Sequence, residues 1–318
     1  MSGVTDFVAA QAANRRNTFV LLALLTGLAA LFGYLVGWAL ETEFTDNLPL
    51  WSRAGAVAGS AMAAASIGWS LISLAFGKRM VLAMANAKEI EKPDAPQLFN
   101  VVEEMSIAAG VPMPSVHVME DEALNAFATG TSAKSAAIVV TRGLLNALDR
   151  DELQGVIGHE MAHIANLDTR YMTIVGVTVG LIALVADLML RLLSWGSFNR
   201  SGNDKKSSSG AGLLIVVLVV VALFAPLAAK AVQLAVSRQR EYLADATSVQ
   251  FTRNPNGLIS ALTKLEAAAK RFPGVSNATQ HLFIVNPVQR VTPDTSALFA
   301  THPDIEDRIA RLRNMGGT

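Results

Sequence analysis

The stretch GVIGHEMAHIANLD, residues 155–168, sets His159 and His163 four residues apart, with Glu160 beside the first. On a helix that spacing sends both imidazoles from one face, about one turn apart. Two nitrogens so placed can share one zinc ion at ~2.0–2.1 Å each. Glu160 stands one step round the helix, badly placed as a co-ligand but able to take a proton from an attacking water. Asp149-Arg150-Asp151-Glu152 is a capping box that opens the helix and puts the histidines in its middle. Val156, Ile157, Met161, Ala162 and Ile164 surround the motif, so the helix is expected to be buried, where unpaired polar groups are costly. The plain alternative is an ordinary helix with two incidental histidines.

A catalytic zinc site needs a third protein ligand and an open position. The extended pattern H-E-x-x-H-x-x-G-x-x-H is absent, because Asn166 and Thr169 occupy the Gly and His places. The best source of the missing ligand is SRQREYLAD, residues 237–245. There Glu241 and Asp245 are again four apart, so one carboxylate could bind the metal while the other orients a histidine from behind. A solvated charged helix is the alternative, since Arg238 and Arg240 lie in the same stretch.

The remaining sequence divides into apolar blocks and polar segments. Hydrophobic residues make up 52% of the chain and charged residues only 16%, a balance that points to a membrane protein with a water-soluble part. The 26 basic and 26 acidic residues cancel, which gives no reason to expect a nucleic-acid partner. There is no cysteine, so neither a disulfide nor a thiolate ligand is available. The first block, 17–40, is charge-free, follows Arg15-Arg16 and is long enough to span a bilayer. It outruns the apolar core of a signal peptide, and Tyr34 and Trp38 suit an interface, so it is expected to remain as a helix. The second block, 54–77, is rich in Ala, Gly and Ser, which let membrane helices approach closely, and it stops at Lys78-Arg79. Basic residues flank the outer ends of this hairpin, and the acidic loop ETEFTDNLPLWSR joins the inner ends. The positive-inside rule then puts residues 1–16 and everything after Lys78 in the cytoplasm.

Residues 78–170 read as the first soluble part. EKPDAPQLFNVVEEMSIAAG, 91–110, is a helix pattern ending at Gly110. PSVHVME and AAIVVT are strand patterns, with NAFATG, 125–130, between them. His117 is expected on the surface of the first strand. Residues 171–236 hold a second apolar hairpin around the polar linker 194–210, and 237–318 form the second soluble part, mainly helical. At ~1.5 Å per helical residue, His163 and Glu241 would both stand roughly 12–17 Å from the apolar blocks that follow and precede them. A hairpin would therefore bring them to one height. Arg200, Lys205 and Lys206 in the linker favour a cytoplasmic position for it, so four crossings compete with two crossings plus a buried or monotopic hairpin. Asp187 and Arg191, four apart in the third block, are either a neutralised pair near the interface or a functional pair inside the membrane.

NAFATG, IVVTRGLL, DELQGVIGHEMAHI, SRQREYLAD and THPDIEDRI, in this order, closely resemble the HtpX-type membrane zinc metallopeptidases, bacterial relatives of the CAAX prenyl endopeptidases. The resemblance covers most of the chain, including its hydropathy pattern. It implies an α+β fold, mainly α with a small β-sheet: a polytopic membrane protein carrying a zincin-like cytoplasmic metallopeptidase domain. It implies one Zn2+ per chain held by His159, His163 and Glu241, with Glu160 as catalytic base and Asp245 as partner of a ligand histidine. Asn125, Ala126 and Phe127 match the family's edge strand, on which an extended substrate would be laid. His302 and Arg308 match its C-terminal H-P…R pattern, expected near the site. The implied partners are protein substrates, unfolded or membrane-inserted, and the lipid bilayer. The implied place is the bacterial inner membrane, and the implied role is quality control under envelope stress.

Several plain alternatives stand beside these expectations. Asn125 could be a turn residue, His302-Pro303 a helix start without catalytic part, and His281 a loop histidine. Two rivals from other classes are a binding scaffold of the same fold and a transporter using Asp187 and Arg191. An intact Glu160 argues against the scaffold, which has no need of a base.

Overall fold

The computed structural model describes residues 7–45, 51–178, 238–269 and 304–315. The second apolar hairpin with Asp187 and Arg191, the linker 194–210, His281 and His302 lie outside the described residues. The chain divides into two units. One holds residues 18–75 and 178–230, the other the remainder.

The smaller unit contains most of two long helices, α1 (Phe7–Thr45) and α2 (Arg53–Met84). Both are long and apolar enough to cross a membrane, over Gln11–Trp38 and Arg53–Met84. Phe19, Leu24, Leu31, Val57 and Leu71 are exposed on them, as a lipid-facing surface requires. Their contact is built on small residues: a Cβ on Gly37 would lie 2.4 Å from the Ala54 carbonyl, and one on Gly33 2.6 Å from that of Ala58. Glu41 closes the turn by accepting from Ser52 Oγ and, at 3.1 Å, from the N–H of Ala54.

The larger unit is mostly helical around a small mixed sheet. Its sheet has strands β1 (Lys88–Glu89), β2 (Ser115–Met119), β3 (Ala126–Thr129) and β4 (Ala137–Thr141), in the order β1-β2-β4-β3. Strands β2 and β4 are parallel, and the outer pairs are antiparallel. NAFATG is thus itself a strand, at the end of the sheet. The two-residue β1 pairs Glu89 with His117, which makes β2 an inner strand. His117 is therefore buried rather than on the surface, with Nε2 3.1 Å from Ser115 Oγ, and burial lowers its proton affinity.

Helix α3 (Pro96–Ala109) ends where Gly110 turns left-handed at φ 64°, a conformation glycine adopts without steric cost. Short α4 (Arg142–Ala147) leads into α5 (Arg150–Ala165), the motif helix. Its capping box forms as the sequence predicts: Asp149 accepts from the N–H groups of Asp151 and Glu152, and Glu152 accepts from Asp149 at 2.8 Å. The next helix, α6, covers 168–178 of the described residues. Then come α7 (Arg238–Thr252), α8 (Pro255–Ala269) and α9 (Ile305–Met315). Leu98, Val102, Ile138, Val140, Ile157 and Leu262 lie in a single apolar core spanning α3, the sheet, α5 and α8. Thr173 on α6 ties down the end of β3, its Oγ1 2.9 Å from both Thr129 Oγ1 and the Gly130 amide.

The two glycines of the motif stretch are contact points. A Cβ on Gly155 would lie 2.6 Å from the Leu258 nitrogen on α8, and one on Gly158 would lie 2.8 Å from Ser248 Oγ on α7. Backbone cannot give way as a flexible side chain can. Gly155→Ala should therefore cost about 1–3 kcal/mol, as overpacking typically does. Gly68→Ala, with nothing within 4 Å, should be neutral or mildly stabilising. Thermal unfolding in detergent checks both, and equal melting of Gly155→Ala and wild type would refute the contact.

Candidate metal centre

His159 and His163 leave α5 on one face, their rings perpendicular and their Nε2 atoms 3.2 Å apart. Helix α7 presents Glu241 to the same point. Its carboxylate oxygens lie 3.5 Å from His159 Nε2 and 3.7 Å from His163 Nε2. The three donor atoms fall within 4.8 Å of one another, and the residues are all buried. Donors bound tetrahedrally at ~2.0–2.1 Å stand roughly 3.3 Å apart, so the triangle suits a zinc-sized ion.

The rear nitrogen of each imidazole is taken by a carboxylate. Asp245, one turn beyond Glu241, has Oδ1 2.9 Å from His159 Nδ1. Asp168 has Oδ2 3.0 Å from His163 Nδ1. With both Nδ1 atoms so engaged, both Nε2 atoms are left to face Glu241, the pattern that fixes ring and tautomer in metal sites. Asp168 was not anticipated from the sequence. It turns back onto His163 because Leu167 adopts φ 60°, breaking the chain direction between α5 and α6. A left-handed leucine is a strained conformation held by its surroundings. The available signal was an acid five residues past a candidate ligand.

Arg308, expected near the site, is at it and wholly buried on α9. Its guanidinium donates two hydrogen bonds to Asp245, at 2.7 and 2.9 Å, and its Nη1 lies 3.7 Å from Glu241. Asn125 leads into β3: its carbonyl accepts from the Thr141 amide at 2.9 Å, and its own N–H donates to Thr141 Oγ1 at 3.0 Å. Since the Asn125 carbonyl accepts from Thr141, opposite it, alternation turns the N–H and C=O of Ala126 and Ala128 away from β4. Glu160 is buried and bonded to the backbone of Ala128. Ala126, Phe127 and Ala128 are buried as well.

Charge in so dry a place is tightly regulated. Burial disfavours the His159 imidazolium, yet Asp245 and Glu241 outweigh it and push the group up to about 9. Burial also opposes the His163 cation, and Asp168 overcomes it, so that its proton affinity rises too. Glu160 is raised by burial, against the pull of the two histidines. Burial would raise Asp245, but Arg308 and His159 bring it down to about 2. A group held above its ordinary value stabilises the fold at low pH. The His159 contribution is complete below about 6.5 and is lost as pH rises through about 9. After metal is stripped with a chelator, the melting temperature should therefore fall between these pH values. Asp245→Asn should flatten the slope. A melting temperature indifferent to pH across that window would contradict the arrangement.

Residues 92–316 match peptidase family M48. The protease HtpX homolog of Listeria innocua serovar 6a is 41% identical over 310 residues, covering 96% of this chain and 98% of the relative. The protease HtpX homolog of Streptococcus uberis is 42% identical over 308 residues, covering 96% and 98%. The crystal structure of S. mikatae Ste24p aligns with 96% of this chain and 67% of its own, at 19% identity and a TM-score of 0.48. The family implies a metal, and His159, His163 and Glu241 are residues that could hold it. The chain belongs to peptidase family M48 and is a metalloprotease similar to the HtpX homologs over nearly its whole length.

Proposed function

We propose that the protein is a zinc endopeptidase of the inner membrane that cleaves misfolded or misassembled membrane proteins as part of membrane quality control under stress. The observation that carries this is the buried triangle of His159, His163 and Glu241 with Glu160 beside it. Two imidazoles and one carboxylate favour zinc over harder divalent ions. When bound, zinc supplies a Lewis acid that activates water and polarises the scissile carbonyl. Glu160 takes a proton from the attacking water and returns it to the leaving amine, a task helped by its raised proton affinity. Asp245 and Asp168 hold the ligand rings, and Arg308 holds Asp245. Asn125, Ala126 and Phe127 receive an extended substrate by strand pairing, using the backbone groups that β4 leaves unpaired. His302, outside the described residues, is assigned to the site on the H-P…R pattern it forms with Arg308.

In this reading residues 17–77 form a transmembrane hairpin and 171–236 a second one, with 78–170 and 237–318 forming the peptidase on the cytoplasmic face. Basic residues at the outer ends of the first hairpin support that orientation.

The test is cleavage of casein by detergent-purified protein, wild type beside Glu160→Gln, with metal content measured for each. Both should hold about one zinc per chain. Only wild type should cleave, and chelator should stop it. Cleavage by Glu160→Gln at the wild-type rate would remove Glu160 as the base. Absence of zinc after reconstitution would leave a scaffold of the same fold.

A further inference from the structure

Asn14 lies near the amino-terminal end of α1, far in sequence from the peptidase motif, yet it is buried against it. Its side-chain amide donates to Asp168 Oδ1 at 2.6 Å and to the Asn166 carbonyl at 3.1 Å. Its own oxygen accepts from Arg240 Nη1 at 3.4 Å. Gln11, three residues earlier on the same helix, donates to the Ala165 carbonyl at 2.8 Å. Residues 11 and 14 thus supply the donors that the last carbonyls of α5 lack within their own helix.

We propose that Asn14 is a positioning residue for the metal centre, acting on His163 through Asp168. This rests on the reading of His163 as a metal ligand. Asp168 offers one oxygen to His163 and the other to Asn14. The carboxylate is 1% exposed, so water does not take the place of a missing donor. Arg240 Nη1 stands 4.0 Å from the same oxygen that Asn14 holds. Without the amide of Asn14, Asp168 can swing toward Arg240, and the ring of His163 loses its fixed direction. The same amide oxygen holds Arg240, the neighbour of Glu241, so a single side chain bridges the segment after His163 and the segment before Glu241. A ligand ring loosely held binds metal less tightly even where the ligand itself is intact.

The experiment uses full-length, detergent-purified protein stripped of metal and titrated with cobalt(II), then with zinc in competition with a chelator. Asp168→Asn should weaken binding about 10–100-fold and alter the visible cobalt spectrum. Asn14→Ala, one contact further out, should weaken it by about 3–10-fold and shift the spectrum in the same sense. The double variant should bind no more weakly than Asp168→Asn alone, because Asn14 acts through Asp168. Asn14→Ser, which is too short to reach Asp168, repeats the test should the alanine variant not fold. Asn17→Ala, on the exposed side of the helix, should match wild type. Wild-type affinity and spectrum in the Asn14 variants would overturn the proposal. So would an Asn14 effect that multiplies in full with that of Asp168→Asn. If wild type itself binds no metal, the reading of the site falls together with this one, and that outcome is visible in the wild-type titration alone.

Discussion

Charge buried in a dry helical core has to be answered, and that requirement organises the larger unit. Two imidazoles, Glu160, Glu241, Asp245 and Asp168 converge on a volume from which solvent is largely excluded. Each is costly there unless paired or hydrogen-bonded. The answers come from every direction: Asp245 from α7, Asp168 from the break after α5, Arg308 from α9. Elements remote in sequence are fixed to one another because each supplies what another lacks. The apolar core then fills the space behind α5.

Close approach is the second condition. Three donor atoms can meet only if α7 lies hard against α5, and Gly158 leaves that room; Gly155 does the same for α8. The motif stretch therefore carries two kinds of information at once. His159, Glu160 and His163 supply polar groups of the buried cluster, and its glycines set how closely α7 and α8 approach them. The smaller unit uses small residues in another way, to join two apolar helices where hydrophobic contrast with the surroundings is weak.

Local signals were legible in the sequence wherever they obey a short-range rule. The capping box at Asp149, the glycine end of α3 and the i, i+4 pairs on α5 and α7 are all such rules, and all appear in the structure. The resemblance to HtpX-type metallopeptidases was likewise legible in motif order, and the family match agrees with it. Features set by tertiary pairing were not legible. Two residues of β1 are too few to show a period, and missing them put His117 on the wrong side of the burial boundary. Asp168 depends on a left-handed leucine, which no propensity favours. Asn14, in the segment 1–16, gives no local sign of its contacts because its partners lie more than 150 residues away.

The dispersal of these partners along the chain has a consequence for synthesis. A ribosome that has reached residue 240 has made both histidines and Asp168, but neither carboxylate of α7. Arg308, which steadies Asp245, comes a further 63 residues along the chain. The emerging chain therefore carries Glu160 well before it has made Glu241 and Asp245. The buried cluster can close only once α7 has followed α5, so the order of the sequence delays its assembly.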